Sequence, residues 1–223
     1  MYIYKKNNFM KYVYWCCYLL FSTLMIGQST FSPSKKITLD FKLNDNGKPI
    51  YSVSYQSQKI INPSFLGIEL KDSDDLDHDF TLLKQETKSV DEQWNPVLGE
   101  QSTIQNKYNQ ITFYLLQKET KRKLNIIFKV YDEGVAFRYE FPKQEKLNYF
   151  IISDEKSEFN LTADHKAFWI PGDYDSQEYA YAETKLSEVN SDQLDMNNGV
   201  GLKTIKDKYR VQSPLMMKSE NGI

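Results

Sequence analysis

The run Leu124-Asn125-Ile126-Ile127-Phe128-Lys129-Val130-Tyr131-Asp132-Glu133-Gly134-Val135-Ala136-Phe137-Arg138-Tyr139-Glu140-Phe141 decides the fold class. Leu124, Ile126, Phe128 and Val130 recur at every second position, Asp132-Glu133-Gly134 turns the chain, and Val135, Phe137, Tyr139 and Phe141 repeat the period on the return. Successive strand side chains point to opposite faces, so the two arms deliver an apolar face to one side and fix the register of the hairpin. One hairpin cannot cover that face, so the spacing predicts a second sheet against it and an all-β sandwich.

Outward from this hairpin the same period dominates. Ile37, Leu39, Phe41 and Leu43 alternate with polar residues, Asn44-Asp45-Asn46-Gly47 reverses the chain, and Tyr51, Val53 and Tyr55 return. Residues 65–70 read as a third strand and residues 104–116 as another, through Ile111, Phe113 and Leu115. Further strands are expected at 149–152, 159–161, 200–205, 209–212 and 215–218, with a weak helical possibility at 186–194. Between residues 72 and 79 lie Asp72, Asp74, Asp75, Asp77, Asp79 and His78. This segment lacks the glycine and the closing glutamate of a helix-loop-helix calcium loop and reads as a solvated turn. Nowhere do amphipathic helices alternate with strands, which excludes a βαβ protein.

Composition narrows the class of partner. With 28 basic and 30 acidic residues the chain has no electrostatic case for nucleic acid or an anionic membrane surface, and a neutral partner is expected. Lys5, Lys6 and Lys11 followed by an apolar run over 12–26 read as an export signal, residues 1–27, with cleavage near Gly27. The run is shorter than the roughly 20 residues a spanning helix needs, and a retained anchor is the alternative. Cys16 and Cys17 lie inside this leader, without the small residues that precede an acylated cysteine. The remaining domain, 28–223, is therefore expected to be exported, periplasmic or secreted, and to fold without disulfides.

One segment is not explained by strand formation. Residues 168–181, Phe-Trp-Ile-Pro-Gly-Asp-Tyr-Asp-Ser-Gln-Glu-Tyr-Ala-Tyr, combine aromatic rings with Asp173, Asp175 and Glu178, and Pro171-Gly172 interrupts a ladder. Rings and acids on an irregular backbone suit a sugar or a hard cation, while a loop pinned by its own rings is the structural alternative. Trp169, Asp173 and Asp175 are the candidate substrate contacts, since Trp169 could stack on a pyranose face. The three carboxylates are too few to complete a calcium site, which takes six to eight oxygens. Glycoside hydrolysis usually needs two opposed carboxyl groups, and the sequence does not select a pair. A sugar epimerase would need a histidine with a carboxylate; only His78 and the Asp164-His165 pair offer one.

Four ordered motifs carry a resemblance. Trp94-Asn95-Pro96-Val97-Leu98-Gly99-Glu100, Asn106-Lys107-Tyr108-Asn109, the run from Val130 to Pro142, and Trp169-Ile170-Pro171-Gly172-Asp173-Tyr174-Asp175-Ser176-Gln177-Glu178-Tyr179 resemble the N-terminal domain of glycoside hydrolase family 97. That resemblance implies a supersandwich of the galactose-mutarotase type, followed in the family by a catalytic barrel and a C-terminal β domain. It also implies an exported α-glucosidase or α-galactosidase acting on α-linked oligosaccharide. In the family a calcium ion at the active site is held by barrel glutamates and one glutamate from this domain, and the motif match places that ligand at Glu178. The catalytic carboxylates belong to the barrel, so no catalytic residue is expected in this chain. Residues 215–218 read as a strand and Ser219-Glu220-Asn221-Gly222 as a turn with no return arm, which suggests a truncated polypeptide, inactive alone. A free-standing carbohydrate-binding module is the alternative.

Overall fold

The computed structural model describes residues 27–194 and 204–220, so the expected leader lies outside the described residues. The chain packs as two compact units, which divide after Phe159. The first contains β1 (Gln28–Phe31), β2 (Ile37–Leu43), β3 (Pro49–Tyr55), β4 (Gln58–Phe65), β5 (Ile68–Leu70), β6 (Phe80–Trp94), β7 (Ile104–Gln117), β8 (Lys123–Val130), β9 (Val135–Glu140) and β10 (Ile152–Glu155). The second contains β11 (Lys166–Trp169), β12 (Ala182–Lys185) and β13 (Met216–Lys218).

In the first unit β1-β2-β3-β4 and β6-β7-β8-β9 form two antiparallel four-stranded sheets, and β5 pairs with β10. The hairpin that opened the sequence reading is β8–β9, with Ile126 opposite Tyr139, Phe128 opposite Phe137 and Val130 opposite Val135. Tyr131 N donates to Gly134 O at 2.8 Å and closes it. Leu124, Ile126, Phe128 and Val130 are fully buried, together with Ile111, Phe113 and Leu115 of β7. They share one core with Ile37, Leu39 and Phe41 of β2 and Tyr51 of β3. Phe41 stacks on Phe113 with ring centroids 3.8 Å apart, joining the two sheets at their centre. Burial of this size favours the sandwich at roughly 1.5–3 kcal/mol per large side chain.

The turn between β2 and β3 has a second task. Gly47 adopts φ +69°, and its carbonyl accepts Phe80 N at 3.1 Å, so the turn also seats the start of β6. Any Cβ on Gly47 would lie 2.4 Å from Phe80 N.

Several expected boundaries shift. Residues 65–70 are not one strand: β4 ends at Phe65, Leu66 is buried, and β5 begins at Ile68. The expected strand at 149–152 begins only at Ile152 and becomes β10, and of the one expected at 159–161 an isolated bridge at Leu161 is seen among the described residues. The turn at 72–79 is not wholly solvated. Leu76 is fully buried and bridges Ile68, while Arg122 Nη2 donates to Asp74 O at 2.6 Å and Gln117 Nε2 to Asp75 O at 2.8 Å. Both donors are buried, so their hydrogen bonds to this loop satisfy them where water cannot.

In the second unit β11 is the central strand, with β12 and β13 on either side. Ala167, Trp169 and Val189 form a small core packed by Leu186, Leu194, Val211 and Leu215. The helical possibility at 186–194 resolves into two single 3-10 turns, Leu186–Glu188 and Ser191–Gln193. At 209–212 a single bridge, Pro171 to Val211, replaces the expected strand; of the one expected at 200–205, residues 200–203 lie outside the described residues.

Candidate functional site

The aromatic and acidic segment leaves β11 at Trp169 and is fastened immediately. Gln212 N donates to Ile170 O at 3.1 Å, Gly172 N to Arg210 O at 2.8 Å, and Gln212 Nε2 to Asp173 O at 2.6 Å. The close approach explains Gly172: a Cβ there would meet Arg210 Cβ at 2.8 Å and its carbonyl carbon at 3.1 Å. Pro171 supplies no amide hydrogen, so the glycine carries this turn of the zipper.

Trp169 and Asp173, expected at a substrate, serve the interior. Trp169 is 1% exposed, and its Nε1 donates to Thr184 Oγ1 at 3.0 Å. Neither face of the ring is open to a sugar. The reason is parity: on β11 the residues Ala167 and Trp169 share a face, and that face is the core of the unit. Asp173 is 4% exposed and accepts four hydrogen bonds, from the hydroxyls of Thr204 and Tyr179, from Asp175 N at 3.0 Å and from Thr204 N at 3.3 Å. The Thr204 hydroxyl first and the Tyr179 hydroxyl second hold its carboxyl well below the usual carboxylate range. Burial, then this same carboxylate, pushes the Tyr179 phenol up to about 12. An acid held by four donors is a brace, with no lone pair left to recognise a ligand.

The brace shapes what lies between its ends. From Asp173 to Tyr179 the chain arches outward, leaving Tyr174, Asp175 and Glu178 exposed. Glu178 N donates to Ser176 Oγ at 3.2 Å, which fixes the backbone next to the tyrosine anchor. The three acids are therefore not equivalent: Asp173 is internal, and Asp175 and Glu178 face solvent. Among the described residues no group of three His, Cys, Asp or Glu side chains is arranged to hold a metal ion. Sequence reasoning allowed for rings such as Tyr179 as anchors but missed Thr204. Tyr179 stands beside Glu178 in the same motif, but Thr204 is 31 residues from Asp173 and only the fold joins them.

Asp164 and His165 do not build an epimerase dyad. Asp164 uses both carboxylate oxygens on Ser187, accepting its N at 2.9 Å and its Oγ at 2.7 Å. His165 instead lies 3.5 Å from Thr162 Oγ1. His78 pairs with Asp77, which also meets Lys48 at 3.5 Å.

Two antiparallel sheets around an aromatic core, followed by an acid-bearing loop on a small sheet, define an all-β sandwich region. The chain belongs to the Glycosyl-hydrolase 97 N-terminal family, which it matches over residues 31–223. It is similar to a glycoside hydrolase family 97 enzyme from Pseudoalteromonas sp. strain K8, solved in complex with acarbose and, as a variant, with panose. The identity is 27% and the TM-score 0.72, covering 87% of this chain and 27% of that one. A β-arabinopyranosidase shares the fold, with TM-score 0.66 and 24% identity over 72% of this chain and 27% of its own. This chain therefore spans 27% of the length of these solved relatives. Among the described residues no helix is long and apolar enough to cross a membrane.

Proposed function

We propose that this chain is the N-terminal sandwich of an exported α-glycosidase, of α-glucosidase or α-galactosidase type. It walls one side of the active-site pocket and lends the Glu178 carboxylate to calcium. The observation that carries the reading is the exposed Glu178 on an arch whose two ends are tied together by Asp173 and Tyr179. A fixed backbone lowers the ordering cost of presenting one carboxylate to a cation whose remaining oxygens come from another domain. Calcium bound there would supply positive charge beside the sugar. Glu178 contributes oxygen ligands, Asp173 keeps the arch closed, and Tyr174 and Asp175 stand beside Glu178 on the solvent side. Asp173, with four donors, does not serve as a general acid or base. Family membership supports the carbohydrate class, and the 27% coverage of the longer relatives supports catalytic carboxylates supplied by another domain.

Two measurements test this. The chain alone should give no turnover of aryl α-glucosides or α-galactosides with calcium present. In a polypeptide that joins it to a family 97 catalytic barrel, Glu178→Gln should weaken calcium binding by about tenfold or more, the scale of one lost charged ligand contact. Turnover by the isolated chain, or an unchanged calcium affinity in the joined variant, refutes the proposal.

A further inference from the structure

The interior of a sandwich is apolar where both sheets cover it, and β2, β7 and β8 obey that rule. The edge where β1 and β6 run does not. Thr30 pairs in register with Leu39 and Thr87 with Ile111, both core residues, so each threonine faces inward from its own sheet. Gln85 and Ser89 fall on the same side as Thr87 by the strand period. Inward positions of these edge strands thus carry hydroxyls and amides where apolar side chains would seal the seam. Gln85 Nε2 donates to Gln28 Oε1 at 2.7 Å, while Gln85 Oε1 is buried with no hydrogen-bond partner. Further along, Asn109 Nδ2 donates to Phe31 O at 2.8 Å, and Asn109 Oδ1 accepts from Ser89 Oγ at 2.6 Å.

At these bridges the seam opens into a cleft of about 410 Å³, within the roughly 300–1,000 Å³ of small-molecule sites. Its lining includes Phe31, Lys35, Thr87, Lys88, Asn109 and Gln110, and no carboxylate. An apolar ligand would strand these hydroxyls and amides away from water, at a cost of about 1–3 kcal/mol for each group left unpaired. A small inorganic anion would use the Lys35 ammonium and leave the ring and the amide idle. A polyol with one apolar face uses all of them: hydroxyls both donate and accept, and Phe31, 45% exposed, offers a surface for a pyranose ring.

We propose that the cleft between β1, β6 and β7 binds one or two pyranose units of an oligosaccharide. Asn109, Thr87 and Ser89 hydrogen-bond its hydroxyls, and Phe31 packs on the ring. The inference rests on the lining of this cleft and does not depend on Glu178.

The test is titration of the chain with panose and with maltotriose, by calorimetry and by amide chemical-shift mapping. Saturable binding with a dissociation constant of about 0.1–1 mM is expected, the range of a small, open site. Shifts should map to residues 29–35, 87–89 and 109–110. Phe31→Ala and Thr87→Val should each weaken binding by about fivefold or more, roughly one lost contact, while Glu178→Gln leaves it unchanged. Thr87→Val keeps the volume and the strand preference, so it reports on recognition even where Phe31→Ala disturbs β1. The proposal is overturned by absence of saturable binding to either sugar. Shifts confined to residues 174–178, affinity indifferent to both cleft variants, or competition by inorganic sulfate alone would overturn it too.

Discussion

Replacement of Trp169 separates two physical roles that one residue cannot hold together. The side chain is 1% exposed, packed in the small core with Ala167 and Val189, and its Nε1 donates to Thr184 Oγ1 at 3.0 Å. Truncation to alanine removes the ring, leaves a cavity between β11 and the 3-10 turns, and frees one hydroxyl partner. Buried Trp→Ala changes cost about 3–5 kcal/mol, and loss of the hydrogen bond lies within that figure. With a urea slope of about 2 kcal/mol/M, Trp169→Ala should lower the unfolding midpoint by roughly 1.5–2.5 M, where unfolding is two-state. Trp169→Phe keeps most of the apolar volume and should cost about 2 kcal/mol, near 1 for the hydrogen bond and near 1 for the smaller ring. Denaturant titration followed by circular dichroism measures both, and oligosaccharide affinity is measured on each variant in parallel. Suppose Trp169→Ala leaves the midpoint in place and abolishes sugar binding. The ring would then be a ligand platform, and the assignment of this residue to the core would be wrong.

Gly47→Ala should destabilise the sandwich by about 2–4 kcal/mol, combining overpacking with a left-handed backbone; the Cβ would meet Phe80 N at 2.4 Å and Phe80 O at 2.6 Å, backbone atoms that cannot swing aside. A urea midpoint within about 0.2 M of the parent would contradict it. Tyr139 contributes to the alkaline limb: burial pushes its phenol up to about 12, while its oxygen accepts Gly67 N at 3.0 Å and lies 2.7 Å from Ser157 Oγ. A folded value above the unfolded one of about 10 means this contribution is complete below pH 10 and is lost as pH climbs from about 10 to 12. Tyr139→Phe should lower stability at neutral pH by about 1–2 kcal/mol and flatten the alkaline decline, with Tyr51 and Tyr179 left to supply the residual slope; an unaltered slope in urea unfolding across that range would refute it.

What was legible in the sequence follows from where burial enforces a pattern. β8 and β7 sit between neighbours and against the opposite sheet, so each inward position must be apolar, and Ile126, Phe128, Ile111 and Phe113 announce their strands. β4 was hidden by Pro63, which sits in the irregularity of its pairing with β3 between Ile61 and Ser64, where a bulge tolerates proline. The acids of residues 173–178 were visible as a cluster, but their division of labour was not. Asp173 is internal because Thr204 arrives from across the fold, and no local pattern encodes that. Trp169 was misjudged for a different reason, since its parity with Ala167 could have placed it in the core. β6 is the most telling case. Over residues 80–94 it has no apolar alternation, because Gln85, Thr87 and Ser89 occupy its inward face and Lys84, Glu86 and Lys88 its outer one. The ladder to β7, continuous from Lys84 to Trp94, holds it in place of a buried face. An edge strand can persist on backbone pairing and side-chain links such as Tyr114 Oη to Glu86 Oε2 at 2.7 Å. The residues that made β6 unreadable as a strand are also those that leave the seam beside it polar and open. A sequence selected only for a sealed sandwich would have put β-branched apolar residues at 85, 87 and 89, and would have been easy to read. The departure from pattern and the cleft are one feature, and a sugar-binding edge is the reading under which both have a cause.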